Sequence, residues 1–351
     1  MLNKTNAVRD RSKNMRVLFI LSAALILIIV AATAIGAVYV PFGDTVRIIL
    51  KNYGILKAPS VDDSQESIIF FVRFPRVLVA VLVGAALAAS GCVMQGMFRN
   101  PMADPGIIGV SGGASLGAVT AIALGLTSGS VYVMPVFATA GALAAAWLIF
   151  LLASKGGKIP VLTLILSGIA VSTFLGAVTS LILTRVNEYQ LREYLFWSVG
   201  SLSARRWEHV NLAAVPVALC VIILISFSRD LNILLLGEEE AQSVGLNPFA
   251  ARKRLLFFTS VTTAMAVCVS GNISFVGLIV PHIMRLIVGP DNRILMPASA
   301  LAGAVFLVGC DLAARVVFMP VEIGVGIVTS LVGAPYFLYL LNKARKEGAA
   351  L

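Results

Sequence analysis

The segment VLFILSAALILIIVAATAIGAVYV, residues 17–40, decides the fold class, because its 24 residues include no charged side chain. An α-helix rises 1.5 Å per residue, so about 20 apolar residues cross the roughly 30 Å hydrocarbon core of a bilayer. The run is longer than the apolar core of a secretory signal peptide and ends without a clear cleavage site. We therefore interpret it as a retained first membrane span.

Nine further apolar runs follow the first. They occupy residues 77–97, 107–127, 132–153, 160–184, 209–227, 255–270, 274–289, 294–317 and 323–341. Hydrophobic residues make up 59% of the 351-residue chain and charged residues only 13%, whereas soluble domains carry about 25% charged residues. The sequence predicts an all-α polytopic membrane protein with ten transmembrane helices. The seventh and eighth runs are short and polar Asn272 separates them, so one irregular element is the alternative there.

The distribution of Lys and Arg predicts the orientation of the chain. With the N-terminus inside, most basic clusters fall on the cytoplasmic side, and ten spans return the C-terminus to that side. We predict a cytoplasmic tail at residues 1–16, one transmembrane domain at 17–343 and a second cytoplasmic tail at 344–351. The net charge of +10 follows from these topology signals, so nucleic acid is not an expected partner.

Two polar segments interrupt the apolar pattern. The inner one, residues 229–254, contains a predicted short helix at Leu235–Gly245 with three glutamates in its first turn, where the helix dipole favours anions. The outer one, residues 187–207, predicts an interfacial helix with aromatic anchors in the headgroups. These anchors are Tyr189, Tyr194, Trp197 and Trp207.

Two parts of the sequence echo each other about 180 residues apart. Ser90-Gly91 is followed by Gly96 and Pro101, and Ser270-Gly271 is followed by Gly277 and Pro281. The first copy begins on a predicted inward-running span and the second on an outward-running span. That arrangement predicts an inverted internal repeat.

The sequence carries little of the machinery that ion-coupled carriers need. Asp311 is the only acid well inside an apolar run, and Arg315 follows one turn later, which predicts a local ion pair. No phosphate-binding loop is present, so ATP and Mg²⁺ would bind another chain and no cofactor is expected on this one. We interpret the cysteines as packing residues without metal-ligand spacing, and expect no metal site. They are Cys92, Cys220, Cys268 and Cys310.

One enzymatic alternative stays open. Gly109-Val110-Ser111-Gly112 matches the G-x-S-G pattern of intramembrane serine proteases, and His282 lies in another apolar run, so a Ser-His pair is conceivable. Small residues around Ser111 equally indicate close helix packing. An ion-coupled carrier is the second alternative outside the main hypothesis.

Several linked motifs resemble one family. The first half contains RFPR at 73–76, LVGAALAASG at 82–91, NPMADP at 100–105 and GVSGGA at 109–114. The second half contains LGE at 236–238, GNISFVGLIVPH at 271–282 and GAP at 333–335. In these residues the chain resembles the FecCD-type permease subunits of binding-protein-dependent ABC importers for iron-siderophores, haem and cobalamin. The resemblance extends from Val17 to Lys343.

The resemblance implies a type II ABC importer permease fold and a role that is not itself enzymatic. Such a subunit forms the pathway for ferric-siderophore uptake across a bacterial plasma membrane, with haem or cobalamin as the alternative cargo. The implied partners are a cytoplasmic ATPase dimer, an external substrate-binding protein or lipoprotein, membrane lipid, and a second permease subunit that is identical or related.

The resemblance also implies roles for particular residues. Arg73, Arg76 and Arg315 match positions that pair with glutamates of the binding protein, with headgroup anchoring as the alternative for the first two. The ATPase-coupling helix would include Leu236, Gly237, Glu238, Glu239, Glu240, Ala241 and Gly245. The inner gate would comprise Lys158, Pro160, Val161, Leu162 and Thr163. The pathway would be lined by Ser167, Gly168, Ser172, Thr173 and Gly176.

Overall fold

The computed structural model describes residues 2–56, 62–154, 156–317 and 319–346. Its α-helices are α1 Leu2–Ala34, α2 Phe42–Asn52, α3 Asp63–Ser67, α4 Phe74–Phe98, α5 Val110–Ala123, α6 Val133–Ala153, α7 Val161–Leu183, α8 Glu188–Val199, α9 Trp207–Ser226, α10 Ser228–Leu234, α11 Glu238–Ser243, α12 Pro248–Ser270, α13 Val276–Val288, α14 Asn292–Val316 and α15 Val325–Lys346. A π-helical turn at Ile68–Arg73 leads into α4, and a 3-10 turn at Pro105–Ile108 precedes α5.

Ten of these helices fall on the ten predicted apolar runs. Seven are long and apolar enough to cross a bilayer, and α5, α13 and the apolar part of α15 are shorter. The seventh and eighth runs form two separate helices, because Gly271 and Phe275 both adopt positive φ angles between α12 and α13. The alternative of one irregular element is therefore wrong.

The boundaries predicted from the apolar runs differ most from those of the observed helices at the start of α12. The apolar run begins at residue 255, whereas the helix begins at Pro248, where the Asn247 side chain accepts a hydrogen bond from the Ala250 amide. A capping Asn followed by Pro starts a helix irrespective of hydropathy. The extra turns carry Arg252–Arg254, so a search for apolar residues misses them. Similarly, α1 already begins at Leu2 within the predicted tail 1–16, and the end of the predicted tail 344–351 lies outside the described residues from 347 onward.

Helix α4 lies at the centre of the bundle and packs against α9, α12, α13 and α14. Glycine makes the closest approaches possible. A Cβ added to Gly84 would lie 2.8 Å from the carbonyl carbon of Gly303 on α14, and one added to Gly91 would lie 2.6 Å from the Cα of Gly277 on α13. Real side-chain carbons do not come that close, so these positions allow backbones to meet as small residues do in membrane proteins. The four cysteines are buried with free thiols, as predicted.

Helix α7 lies at the edge of the bundle and packs mainly against α5, α6 and the turn before α5. Its other face exposes large apolar side chains. These include Leu162, Leu166, Ile169 and Phe174. An exposed apolar helix face of this kind is covered by lipid or by another protein chain.

The polar segment around α8 does not anchor the chain as predicted. Tyr194 and Trp197 are buried against the bundle, and Trp207 donates its indole N–H to the Phe70 carbonyl at 2.9 Å. Only Tyr189 of the four aromatic residues is fully exposed. The interfacial-anchor interpretation is wrong for Tyr194 and Trp197, because α8 folds back onto the bundle through Gly200, whose carbonyl accepts from the Gly326 amide.

The two echoed motifs occupy different places in their helices. Ser90-Gly91 lies in the middle of α4, whereas Ser270 ends α12 and Gly271 follows it with a φ of +71°. The inverted repeat stays a prediction.

Candidate functional site

The bundle has two polar ends, named here the α11 end and the α8 end after the short helix at each. At the α11 end, the helix predicted at 235–245 is the shorter α11, Glu238–Ser243. It begins after Gly237, whose φ of +145° is open to glycine alone, and the separate helix α10 already ends at Leu234. The three glutamates occupy the first turn of α11, as predicted, and Ala241 is the buried residue of that helix. Leu236 and Val244 stand exposed on either side.

Arg252 on α12 connects α11 to the segment before α7. Its Nη1 forms an ion pair with Glu238 and lies 3.4 Å from the Ile159 carbonyl oxygen, to which it donates. The Arg252 side chain is only 12% exposed. A groove of about 530 Å³ opens beside this contact, lined by residues 156–159 on one side and 245–249 on the other.

The predicted gate residues surround the start of α7. Lys158 borders the groove, Pro160 is the N-cap, and Val161 begins the helix. Leu162 and Thr163 are exposed in the first turn. The structure therefore brings the predicted gate and the predicted coupling helix to the same end of the bundle.

The predicted pathway residues lie on two faces of α7. Gly168 packs against the Ile107 carbonyl, and Ser172 lies against Gly112, where its Cα is 3.5 Å from the position of an added Cβ. Ser167 is partly exposed, whereas Thr173 and Gly176 are exposed on the uncovered face. Only the last two are fully free to face another subunit; the pathway role of all five stays a prediction.

At the α8 end, two of the predicted docking arginines cap α1. Arg73 donates to the carbonyl oxygens of Ala34 at 2.7 Å and Val38 at 2.6 Å, and Arg315 donates to that of Ala32 at 2.8 Å. Carbonyls in the last turn of a helix lack intrahelical donors, and cations there are favoured by the helix dipole. Both side chains are buried, so their hydrogen-bonding capacity is used within the chain.

The third arginine, Arg76, joins three elements. Its guanidinium contacts Asp311 on α14 at 3.0 Å and Glu322 in the segment before α15 at 2.7 Å. Asp311 is buried and also pairs with Arg315 at 3.2 Å, which confirms the predicted i, i+4 pair. Glu322, by contrast, is 45% exposed. Arg76 is therefore the docking candidate with a solvent-facing partner, and the docking role itself stays a prediction.

The residues of the serine-protease hypothesis have other contacts. The Ser111 hydroxyl donates to Oδ1 of Asn272 at 3.1 Å, and the ring of His282 packs edge-on against Tyr336. Among the described residues, no group of three or more His, Cys, Asp or Glu side chains could hold a metal ion.

The sequence analysis missed Arg252 and Glu322. Glu238 and Arg252 are 14 positions apart, and Arg76 and Glu322 are 246 positions apart. In each pair the two residues lie in different elements, so no pattern within one helix indicates these pairs. The one available signal was Arg252 itself, a cation at the start of an apolar span.

Comparisons with known proteins agree with this architecture. A cobalamin import system permease protein of Halobacterium salinarum is 47% identical over 80% of this chain and 75% of its own length. An Fe(3+)-citrate import system permease protein of Bacillus subtilis is 37% identical over 97% of this chain and 98% of its own. A solved inward-facing ABC transporter, assigned to the metal-chelate type, superposes with a TM-score of 0.82 at 36% identity and covers 93% of this chain and 99% of the other.

The model of the FecCD transport family matches residues 24–343, which span all ten apolar helices except the first part of α1 and the last three residues of α15. With the relatives above, this match shows that the chain belongs to the FecCD transport family.

Proposed function

We propose that the chain is the permease subunit of an ATP-driven importer for metal chelates in a bacterial plasma membrane, with both termini cytoplasmic. The observation that carries the proposal is α11, a six-residue helix between two spans that is joined through Arg252 to the segment before α7. A short rigid helix at the end of a bundle can convert closure of attached ATPases into tilting of the spans.

The α11 end is the proposed docking surface for the ATPase dimer. Leu236 and Val244 are 65% and 64% exposed on either side of the acidic first turn of α11. Exposed apolar side chains beside polar ones are typical of protein interfaces. ATP and Mg²⁺ would bind the ATPase subunits, where hydrolysis takes place, and the permease would carry no cofactor.

The uncovered face of α7 is the proposed contact with a second permease subunit, identical or related. Thr173 and Gly176 lie on this face among large apolar residues. Two such faces would enclose a pathway with few charges. A bulky chelate crosses such a pathway without being held tightly, and selectivity is left to the binding protein.

The α8 end is the proposed docking surface for the external binding protein. Arg73 and Arg315 hold the end of α1, whereas Arg76 pairs with the exposed carboxylate of Glu322. A carboxylate of the binding protein would take the place of Glu322 on Arg76. Such charge complementarity guides docking and fixes its orientation.

Ferric siderophores are the first proposed cargo, supported by the similarity to the Fe(3+)-citrate permease over nearly the whole chain. Cobalamin is the second candidate, because the cobalamin permease has the higher identity. Growth of a deletion strain on single iron chelates and on cobalamin tests the choice. Failure on one or more iron chelates supports siderophore import, whereas normal growth on every chelate with failure on cobalamin would overturn it.

A further inference from the structure

Arg252 stands between α11 and the segment before α7 and is hydrogen-bonded to both. In the part of the chain that the structure describes, the Glu238–Arg252 ion pair is the one side-chain hydrogen bond or ion pair between α11 and another element. The remaining polar contacts of α11 lie within its own segment, such as the Ser243 hydroxyl on the Glu240 carbonyl. Arg252 is therefore the polar side-chain link of α11 to the bundle, beside the packing of buried Ala241 and the backbone turns on either side.

The same guanidinium nitrogen reaches the backbone just before α7. Arg252 Nη1 donates to the Ile159 carbonyl, one residue before the Pro160 N-cap. The Ile159 side chain is buried in the core, and the ring of Pro160 fixes the φ angle at the following position. A displacement of the Ile159 carbonyl is consequently passed to the first turn of α7 and is not absorbed by a flexible joint.

Few other atoms surround the contact between Arg252 and the segment before α7. Beside it lies the open groove of about 530 Å³, so α11 and residues 156–159 meet across space and not through packed side chains. Gly156 and Gly157 both have positive φ angles and no atom within 4 Å of an added Cβ, which leaves the preceding turn uncrowded. Arginine suits such a bridge because its guanidinium is permanently charged and Nη1 carries two N–H donors, enough for the Glu238 carboxylate and the Ile159 carbonyl.

We propose that Arg252 is the positioning residue that transmits movement of α11 to the start of α7, so that ATPase closure and opening of the inner gate occur together. The inference rests on the proposed function, in which α11 contacts the ATPase and α7 borders the pathway. It adds the specific link between them, Glu238 to Arg252 to the Ile159 carbonyl.

The test uses the complete complex of permease, ATPase and binding protein in proteoliposomes, with uptake of chelate measured per ATP hydrolysed. We expect Arg252→Ala to lower this ratio about tenfold, equivalent to about 1.4 kcal/mol of lost coupling, while hydrolysis and association with the ATPase stay near wild type. Glu238→Gln, at an exposed position, should lower the ratio in the same direction if Arg252→Ala does not fold. Arg252→Lys should restore part of it, because an ammonium group keeps the charge and a donor.

Arg254→Ala is the matched control. Arg254 lies two residues further on α12 and pairs with Asp230 on α10 at 3.3 Å, without reaching the segment before α7. This variant should keep the wild-type ratio. A wild-type ratio in both Arg252→Ala and Glu238→Gln, or equal uncoupling by Arg254→Ala, would overturn the inference. A wild-type complex that neither binds the ATPase nor imports would instead count against the proposed function.

Discussion

Oδ1 of Asp311 on α14 lies 3.0 Å from Nη2 of Arg76 on α4, although the two residues are 235 positions apart in the chain. The same carboxylate also neutralises Arg315 on its own helix. Because all three side chains are buried, one acid holds two guanidinium groups where water cannot solvate them. Asp311 is thus the buried carboxylate that the two arginines share, and Arg76 has a second, exposed partner in Glu322.

Replacing Asp311 by Asn should destabilise the protein. Removing one partner of a buried ion pair leaves an uncompensated charge and costs about 3–5 kcal/mol. We expect a clear fall in Tm in detergent, measured by tryptophan fluorescence. Asp44→Asn is the control, because Asp44 pairs with Arg47 at an exposed site, where a pair contributes at most about 1 kcal/mol. Equal Tm values for the two variants would show that the buried cluster does not stabilise the bundle.

Gly91→Leu should prevent the central helices from packing. The new side chain would meet the backbone of Gly277 on α13, which cannot move aside as a flexible side chain could. Overpacking of a core costs about 1–3 kcal/mol, and more against backbone. Size-exclusion chromatography should show loss of monodisperse protein, whereas Gly43→Ala, with no neighbour within 4 Å, should elute as wild type. A monodisperse Gly91→Leu protein would contradict the close contact between α4 and α13.

The fold was predictable from the sequence because a membrane span is a local feature. The ten apolar runs and the pair of Asp311 with Arg315, one helical turn apart, depend on neighbours in the chain. The burial of Trp197 was not predictable, because the same aromatic residue near a membrane surface can lie among lipid headgroups or pack within a helix that folds back onto the bundle. The pairing of Arg76 with Asp311 depends on how α4 and α14 pack, which no pattern in either helix specifies.

Only the part of the candidate site that depends on neighbours in the chain was predictable. Three glutamates at the start of α11 are a local signal of a helix N-terminus, and the structure confirms their position. The link from Glu238 through Arg252 to Ile159 joins three separate segments and emerges only from their packing.

Ser111→Ala separates the importer from the protease hypothesis. The variant removes one neutral hydrogen bond to Asn272, worth about 1 kcal/mol, and leaves the close packing around it unchanged. We expect ATP-dependent uptake within about twofold of wild type. Labelling of the wild-type protein by an active-site serine probe, absent from Ser111→Ala, would support the protease and contradict the structural role of Ser111.

Glu322→Gln should strengthen docking of the external binding protein. The substitution removes the exposed carboxylate that holds Arg76 at 2.7 Å and frees the guanidinium for an acidic group of the partner. We expect the Kd to fall about three- to tenfold, which corresponds to the worth of one partly exposed ion pair. Surface plasmon resonance, with the permease held in nanodiscs, measures the Kd of the binding protein.

Glu188→Gln is the control for this measurement. Glu188 belongs to an exposed i, i+4 pair with Arg192 at the same end of the bundle, and its loss should leave the Kd unchanged. An unchanged or weaker affinity in Glu322→Gln would place the docking contact elsewhere.

The measurement that tests the account most directly is chelate uptake into proteoliposomes that contain this chain alone or with its ATPase and binding protein. The account predicts uptake only when both companions and ATP are present, and none when an ion gradient is applied to the permease alone. Uptake driven by an ion gradient without companions would contradict the account, because the chain would then supply its own driving mechanism.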